Sequence, residues 1–348
     1  MKAVTVVPLQ PGSVALTELA EPPIDDGPVL VKTRSVGVCG TDVEIIAGDY
    51  GWAPPGEERL VIGHESLGEV MEAPPGSGFA PGDLVVGIVR RPDPEPCGNC
   101  AVGQWDMCRN GNYTEWGIKA HHGYARERYR INPDFLVKVA PSLGDLGVLL
   151  EPTTVVAKAW DHISRIGSRA QWAPRVVLVT GAGPIGLLAA LLGKQRGLEV
   201  HVLDQVTSGR KLDLVAALGA TYHHGDIAST GLAPDIVVEC TGVGQLVFDS
   251  MDQMGANGIL CLTGVSAKGR SLGIDAGELN RHMVLENDVV FGSVNANRSH
   301  YEAGAEALAK ADRAWLAGLV SRRVPLENWQ DAYAHRPDDV KVVLQVSG

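Results

Sequence analysis

Side chains of zinc-compatible type stand in four short motifs of this 348-residue chain. Cys39 lies in GVCGTD (Gly37–Asp42), His64 and Glu65 in GHE (Gly63–Glu65), Glu151 in LEP (Leu150–Pro152), and Cys97, Cys100 and Cys108 in PDPEPCGNCAVGQWDMC (Pro92–Cys108). Thiolate, imidazole and carboxylate are the ligands zinc accepts. A catalytic site takes three and keeps a fourth position open, whereas a structural site closes with four. Taken singly, each residue also has a plainer reading: Cys39 as a buried apolar thiol, His64 as a satisfied turn histidine, Glu151 as a helix-start carboxylate.

A second motif could bind phosphate. Gly181-Ala182-Gly183-Pro184-Ile185-Gly186 follows the apolar run Arg175–Thr180 and opens a helical pattern. In that context Gly181 makes a tight turn, Gly183 admits a pyrophosphate, and Gly186 lets helix and strand close on each other. Pro184 and Ile185 start the helix, whose free N–H groups face the phosphates. Asp204 ends the next strand-like run, 18 residues beyond Gly186. A carboxylate there accepts hydrogen bonds from ribose hydroxyls and repels a 2′-phosphate, so NAD is the expected preference. Arg210 and Lys211 are near enough in sequence to admit NADP in part.

These residues need a scaffold. The first third of the chain alternates short β-type runs with Gly and Pro, as a compact β-rich domain does. From residue 151 the texture changes. Helical spacing over Glu151–Ile166 gives way to a run of alternating elements: helices over Ile185–Arg196, Lys211–Leu218 and Gln245–Met254, and strands over Arg175–Thr180, Glu199–Leu203, Ile236–Cys240 and Gly258–Thr263. Such alternation predicts a doubly wound parallel sheet. The tail, Ala303–Gly348, begins helical and ends strand-like. It is too short for a domain and is expected to return to the first one.

Composition narrows the function classes. A net charge of −11 argues against nucleic acid as a partner, since phosphate binding needs clustered Lys and Arg. The longest apolar stretch, near Ile185–Leu192, is too short to span a bilayer, and the start MKAVTVV reads as a strand rather than a leader. Six cysteines in a chain this long make no disulfide framework and suit a reduced, cytoplasmic location.

Taken together and in this order, GVCGTD, GHE, the cysteine lobe, LEP and GAGPIG resemble the zinc-dependent medium-chain dehydrogenase/reductase superfamily, the alcohol dehydrogenase group. The segment Gly37–Gly48, Val89-Arg90-Arg91, Gly117-Ile118, Glu151-Pro152 and Gly292-Ser293-Val294-Asn295 are similar to its glucose (aldose) 1-dehydrogenase branch. The resemblance implies an α/β protein with a β-rich GroES-like catalytic domain over 1–155 and 300–348 and an NAD(P)-binding Rossmann domain over 156–299. It implies a catalytic zinc on Cys39 and His64, with Glu65 and Glu151 as further ligands, and Thr41 as the hydroxyl that relays the substrate proton. Glu115, Glu151, Asn295 and His300 are the implied sugar contacts. Thr241, Gly264, Val265 and Asn295 join the fingerprint and Asp204 at the cofactor.

The family's structural zinc lobe has cysteines spaced C-x2-C-x2-C-x7-C. Cys97, Cys100 and Cys108 fit the last three, while the first position falls on Pro94. Asp93 is taken as the substitute ligand ahead of Glu95, and a metal-free lobe is the alternative. A second departure is Glu44, where many relatives carry the histidine that ends the proton relay; it reads as a surface carboxylate. The expected reaction transfers hydride from C1 of an aldose such as D-glucose to NAD(P), giving the lactone. The alternatives are the same chemistry on another sugar, a polyol or an aminocyclitol, a zinc-free reductase of the superfamily, and a non-catalytic dinucleotide-binding protein. A homo-oligomer, dimer or tetramer, is expected by analogy.

Overall fold

A computed structural model describes residues 1–266 and 271–347. The chain divides into two compact units, Met1–Thr154 with Asn295–Gly348, and Val155–Val294. Residues 295–299, expected with the cofactor unit, fall in the first unit instead. The reason is local: Asn295 Nδ2 donates to Glu115 Oε1 at 2.7 Å and Asn297 Nδ2 to Asp106 Oδ1 at 2.9 Å.

The first unit is built on a seven-stranded sheet centred on the strand Val29–Gly37, flanked by Glu65–Glu72 on one side and Lys341–Gln345 on the other. Both neighbours run antiparallel to it, with Gly37 opposite Glu65 and also opposite Val343. The carboxyl-terminal segment therefore completes a sheet begun by the amino-terminal third. Val31, Val36, Val70, Val85, Tyr129 and Leu344 form part of the core behind it. A short three-stranded sheet, Arg90–Arg91, Thr114–Trp116 and Ala120–His121, brackets the cysteine lobe.

The second unit holds six parallel strands in the order Thr221–His224, Glu199–Asp204, Val176–Thr180, Ile236–Glu239, Ile259–Leu262, Val289–Gly292. This is the doubly wound arrangement that the alternating pattern predicts. The central strands are buried on both faces, as Val177, Leu178, Val179, Val237 and Val238 are. Two strands and a helix escape the sequence reading. Thr221–His224 (TYHH) and Val289–Gly292 (VVFG) are sheet edges, too short and mixed for a continuous apolar run, and the helix Ala276–Glu286 has no buried residue to create a periodic stripe.

Candidate active site

The thiolate, imidazole and carboxylate of Cys39, His64 and Glu65 come together. One donor atom from each lies within 4.8 Å of the others. Tetrahedral zinc with bonds of about 2.0–2.3 Å spaces its ligand atoms roughly 3.3–3.8 Å apart, so the group fits that ion after a small closure.

Two strands and a helix start set this geometry. Cys39 caps the helix Gly40–Ala47, directly after the strand Val29–Gly37. Its backbone N–H donates to Asp42 Oδ2 at 2.9 Å. The other Asp42 oxygen accepts from Gly63 N at 3.2 Å and lies 3.4 Å from His64 Nδ1. Buried Asp42 thus fixes both ligand-bearing turns. Burial alone would lower the His64 pKa, but Asp42 and then Cys39 beside it raise it well above its ordinary value. Metal binding here would release that proton.

Glu65 opens its strand opposite Gly37, where a Cβ would stand 2.0 Å from Glu65 Oε2. Only glycine leaves room for the carboxylate. Lys341 Nζ donates to both Glu65 oxygens at 2.7 Å and to the Val38 carbonyl at 3.0 Å. Burial opposes the ammonium, yet Glu65 and Cys39 hold its pKa above the usual value. Nothing in the sequence marks this lysine beyond a lone cation opening an apolar strand.

Glu151 stands outside the close group, buried in the first turn of the helix Leu150–Gly167. Burial pushes its carboxyl up to about 7, opposed by His64 and reinforced by Glu65. Cys39 Sγ lies 3.9 Å from Thr41 Oγ1. Glu44 is exposed.

Of the residues expected to hold a sugar, Glu115, Asn295 and His300 share one network; Glu151 is not part of it. Arg90 donates through Nε and Nη2 to Glu115 Oε1 at 3.0 and 2.9 Å, and through Nη1 to the Asp106 carbonyl at 2.9 Å. Its guanidinium lies 3.7 Å from the centre of the Tyr113 ring. Asn295 reaches the same Glu115 oxygen. Asn297 N donates to His300 Nδ1 at 3.2 Å, so the neutral ring carries its hydrogen on Nε2. In the sequence Arg90 stands only within the Val89-Arg90-Arg91 resemblance and Asp106 only as a lobe aspartate; their partners appear when the chain folds.

In the lobe the thiols of Cys97, Cys100 and Cys108 lie within 4.8 Å of one another, with Cys97 and Cys100 3.7 Å apart. Asp93 is absent from that close group, but its backbone hydrogen-bonds the Cys100 thiol, and its Oδ2 is buried without a partner. Glu95 is exposed. An orphaned carboxylate oxygen beside three thiols suits a fourth zinc ligand. The backbone N–H groups of Arg109 and Cys100 lower the Cys97 pKa to about 6, while burial raises that of Cys100 to about 11.

In the second unit Gly181 takes φ +88° and its N–H donates to the Leu203 carbonyl at 2.7 Å. A Cβ at Gly186 would stand 1.8 Å from the Gly181 oxygen, so that glycine is required by packing. A Cβ at Gly183 would meet no protein atom within 4 Å. Packing does not ask for that glycine; the approach of a ligand to the backbone does, and the residues fit a dinucleotide. Asp204 Oδ2 accepts from Ala182 N at 2.6 Å and lies 3.6 Å from Lys211 Nζ. Thr241 is bound to Glu239, and Val265 is exposed.

Comparison with known proteins agrees with this arrangement. Residues 25–141 match the alcohol dehydrogenase GroES-like domain, and residues 144–346 match the glucose dehydrogenase C-terminus. The chain is 42% identical to glucose 1-dehydrogenase 2 of Vulcanisaeta moutnovskia and 40% identical to glucose 1-dehydrogenase of Methanocella arvoryzae, covering 99% of both chains in each case. Its fold is similar to that of Haloferax mediterranei glucose dehydrogenase in complex with NADP, Zn and gluconolactone, with a TM-score of 0.92, 32% identity and complete coverage of both chains. The chain belongs to the glucose dehydrogenase family, with an alcohol dehydrogenase GroES-like domain in its amino-terminal part.

Proposed function

We propose that this protein is a zinc-dependent dehydrogenase that oxidises C1 of an aldose, D-glucose first, to the lactone, with NAD preferred over NADP. The observation that carries the reading is the convergence of Cys39, His64 and Glu65, in a chain whose solved relative holds zinc, NADP and gluconolactone. Cys39 and His64 would hold the catalytic zinc, with Glu65 and Glu151 as the further carboxylates beside it. Zinc, when bound, supplies Lewis acidity that lowers the pKa of a hydroxyl, and the nicotinamide accepts the hydride.

The chain's own residues do the rest. Thr41 Oγ1 takes the C1 hydroxyl proton and passes it outward, a step of the kind worth about 10²–10⁴-fold. Glu115, pinned through Oε1 by Arg90 and Asn295, accepts from a sugar hydroxyl, and His300 donates to another from Nε2. A carboxylate and an imidazole together suit a polyhydroxylated substrate, since a simple alcohol has only one hydroxyl to offer them. In the cofactor unit, Gly181, Gly183, Pro184, Ile185 and Gly186 carry the pyrophosphate, Asp204 the ribose, and Thr241, Gly264 and Val265 line the nicotinamide end. A structural zinc sits on Cys97, Cys100, Cys108 and Asp93.

Initial rates on a panel of aldoses and polyols, with NAD and with NADP, test the reading. Glucose is expected to be oxidised with the higher kcat/KM on NAD. No nucleotide reduction with any sugar, in protein of verified zinc content, would refute it. Asp204→Ala is expected to shift preference toward NADP, because the carboxylate that repels a 2′-phosphate is gone and Lys211 is freed. The free cysteines support a reducing, cytoplasmic setting. Among the described residues no helix is long and apolar enough to cross a membrane. A dimer or tetramer is proposed by analogy with the superfamily.

A further inference from the structure

Glu239 is a fully buried carboxylate at the end of the strand Ile236–Glu239, and the chemistry above does not use it. Its Oε1 accepts from Thr241 N at 2.7 Å, from Gly242 N at 3.1 Å, from the Thr241 hydroxyl, and from Thr180 Oγ1 at 3.3 Å. Gly242 N also lies 3.2 Å from Oε2. The Glu239 carbonyl accepts from Thr263 N at 2.8 Å, Thr263 Oγ1 at 2.7 Å and Gly264 N at 3.1 Å. One residue thereby ties three strand-to-loop turns together: the turn that begins the glycine fingerprint, the turn at Thr241–Gly242, and the turn at Thr263–Gly264.

These turns leave the carboxyl ends of three adjacent central strands, with Thr180 opposite Glu239 and Glu239 opposite Leu262. Ligands of open α/β sheets bind at that edge. The turns have no slack. A Cβ on Gly264 would stand 2.1 Å from Gly242 N and 2.8 Å from Glu239 Oε2, and Gly242 holds φ +67°. An ionised carboxylate is an acceptor only, so it suits a ring of N–H and O–H donors. Freezing these turns in advance lowers the ordering cost that a bound nucleotide must meet.

We propose that Glu239 is a positioning residue for the dinucleotide, acting through Thr180, Thr241–Gly242 and Thr263–Gly264 rather than by touching the ligand. This rests on the reading of the second unit as the cofactor unit. In Glu239→Gln the amide oxygen can replace Oε1, but the NH2 group then faces the Gly242 N–H that Oε2 meets, and the ring of donors loses the negative charge it surrounds.

The test is Kd for NADH and NADPH by fluorescence on the full-length holoenzyme, with zinc content, sugar KM and Tm alongside. Glu239→Gln is expected to weaken nucleotide binding by roughly tenfold, and Thr180→Val, which removes one donor, by about threefold. The loss should appear in nucleotide KM and Kd rather than in kcat, sugar KM or zinc content. Unchanged Kd in a folded Glu239→Gln overturns the proposal, even if Tm falls, because a merely structural role moves Tm alone. If Glu239→Gln does not fold, unchanged Kd in Thr180→Val overturns it. A wild-type protein that binds neither nucleotide overturns the cofactor reading and this proposal together; wild-type binding with no change in the variants overturns this proposal alone.

Discussion

The cysteine lobe and the Cys39–His64–Glu65 group are built in opposite ways. Cys97, Cys100 and Cys108 come from one short loop, where a one-turn helix and a few backbone N–H groups gather the thiols. Cys39, His64 and Glu65 come from separate turns, brought together by antiparallel pairing and by Asp42. The surroundings differ too. Cys39 is partly accessible, as are Cys97 and Cys108, but its group sits among buried charges: Asp42 by His64, Lys341 on Glu65, and Glu151 with its pKa pushed up to about 7. A brace needs ligands near one another, which local spacing supplies. A reacting centre needs ligands whose charge is tuned, and that takes buried neighbours from distant parts of the chain.

Removing a ligand from each group tests this contrast. Cys39→Ala is expected to cut kcat by at least about 10³-fold, with the far-ultraviolet circular dichroism unchanged and one zinc equivalent lost. Near wild-type turnover in a metal-verified variant would remove the centre from the chemistry. Next comes Lys341→Met, which strands the Glu65 charge in a buried site. A loss of about 3–5 kcal/mol in denaturant unfolding is expected, since breaking a buried pair costs far more than a surface one. A loss under ~1 kcal/mol would mean that Glu65 is neutralised some other way.

Asp93→Ala should do the reverse of Cys39→Ala. The zinc content falls from two equivalents to one, Tm drops, and kcat at a temperature well below Tm stays within a few-fold. One equivalent in the wild type, dependent on Cys39, would leave the lobe metal-free. The smallest effect is a titration. In zinc-stripped protein, alkylation of Cys97 should rise with a midpoint near pH 6, because backbone N–H groups stabilise its thiolate, while Cys100 reacts only toward pH 11. Below pH 6 both thiols are protonated and slow. Equal rates at pH 7.5, read by peptide mass spectrometry, would contradict the difference between them.

Much of this was legible in the residues. The apolar run Arg175–Thr180, the fingerprint after it and Asp204 at the end of the next run predict the parallel sheet, because a strand buried on both faces must be apolar throughout and a phosphate turn must be glycine-rich. The types and order of Cys39, His64, Glu65 and Glu151 carry the family resemblance. The edge strand Thr221–His224 was not legible, because an edge does not demand a continuous apolar run. Nor were the residues that act through others: Asp42, Arg90, Asp106, Glu239 and Lys341 are charged side chains whose spacing matches no periodic pattern.

Residue types and their order set which chemistry is available: which ligands exist, where a phosphate turn can form, and that the lobe lacks a fourth cysteine. Which charges face each other follows from the folded arrangement alone. Lys341 meets Glu65 across 276 residues of chain because the last strand closes the sheet that the first third began. Asn295 joins Glu115 across 180 residues, a meeting that no local spacing sets. Burial is a property of the whole fold, and a buried carboxylate must find its partner wherever the packing happens to supply one.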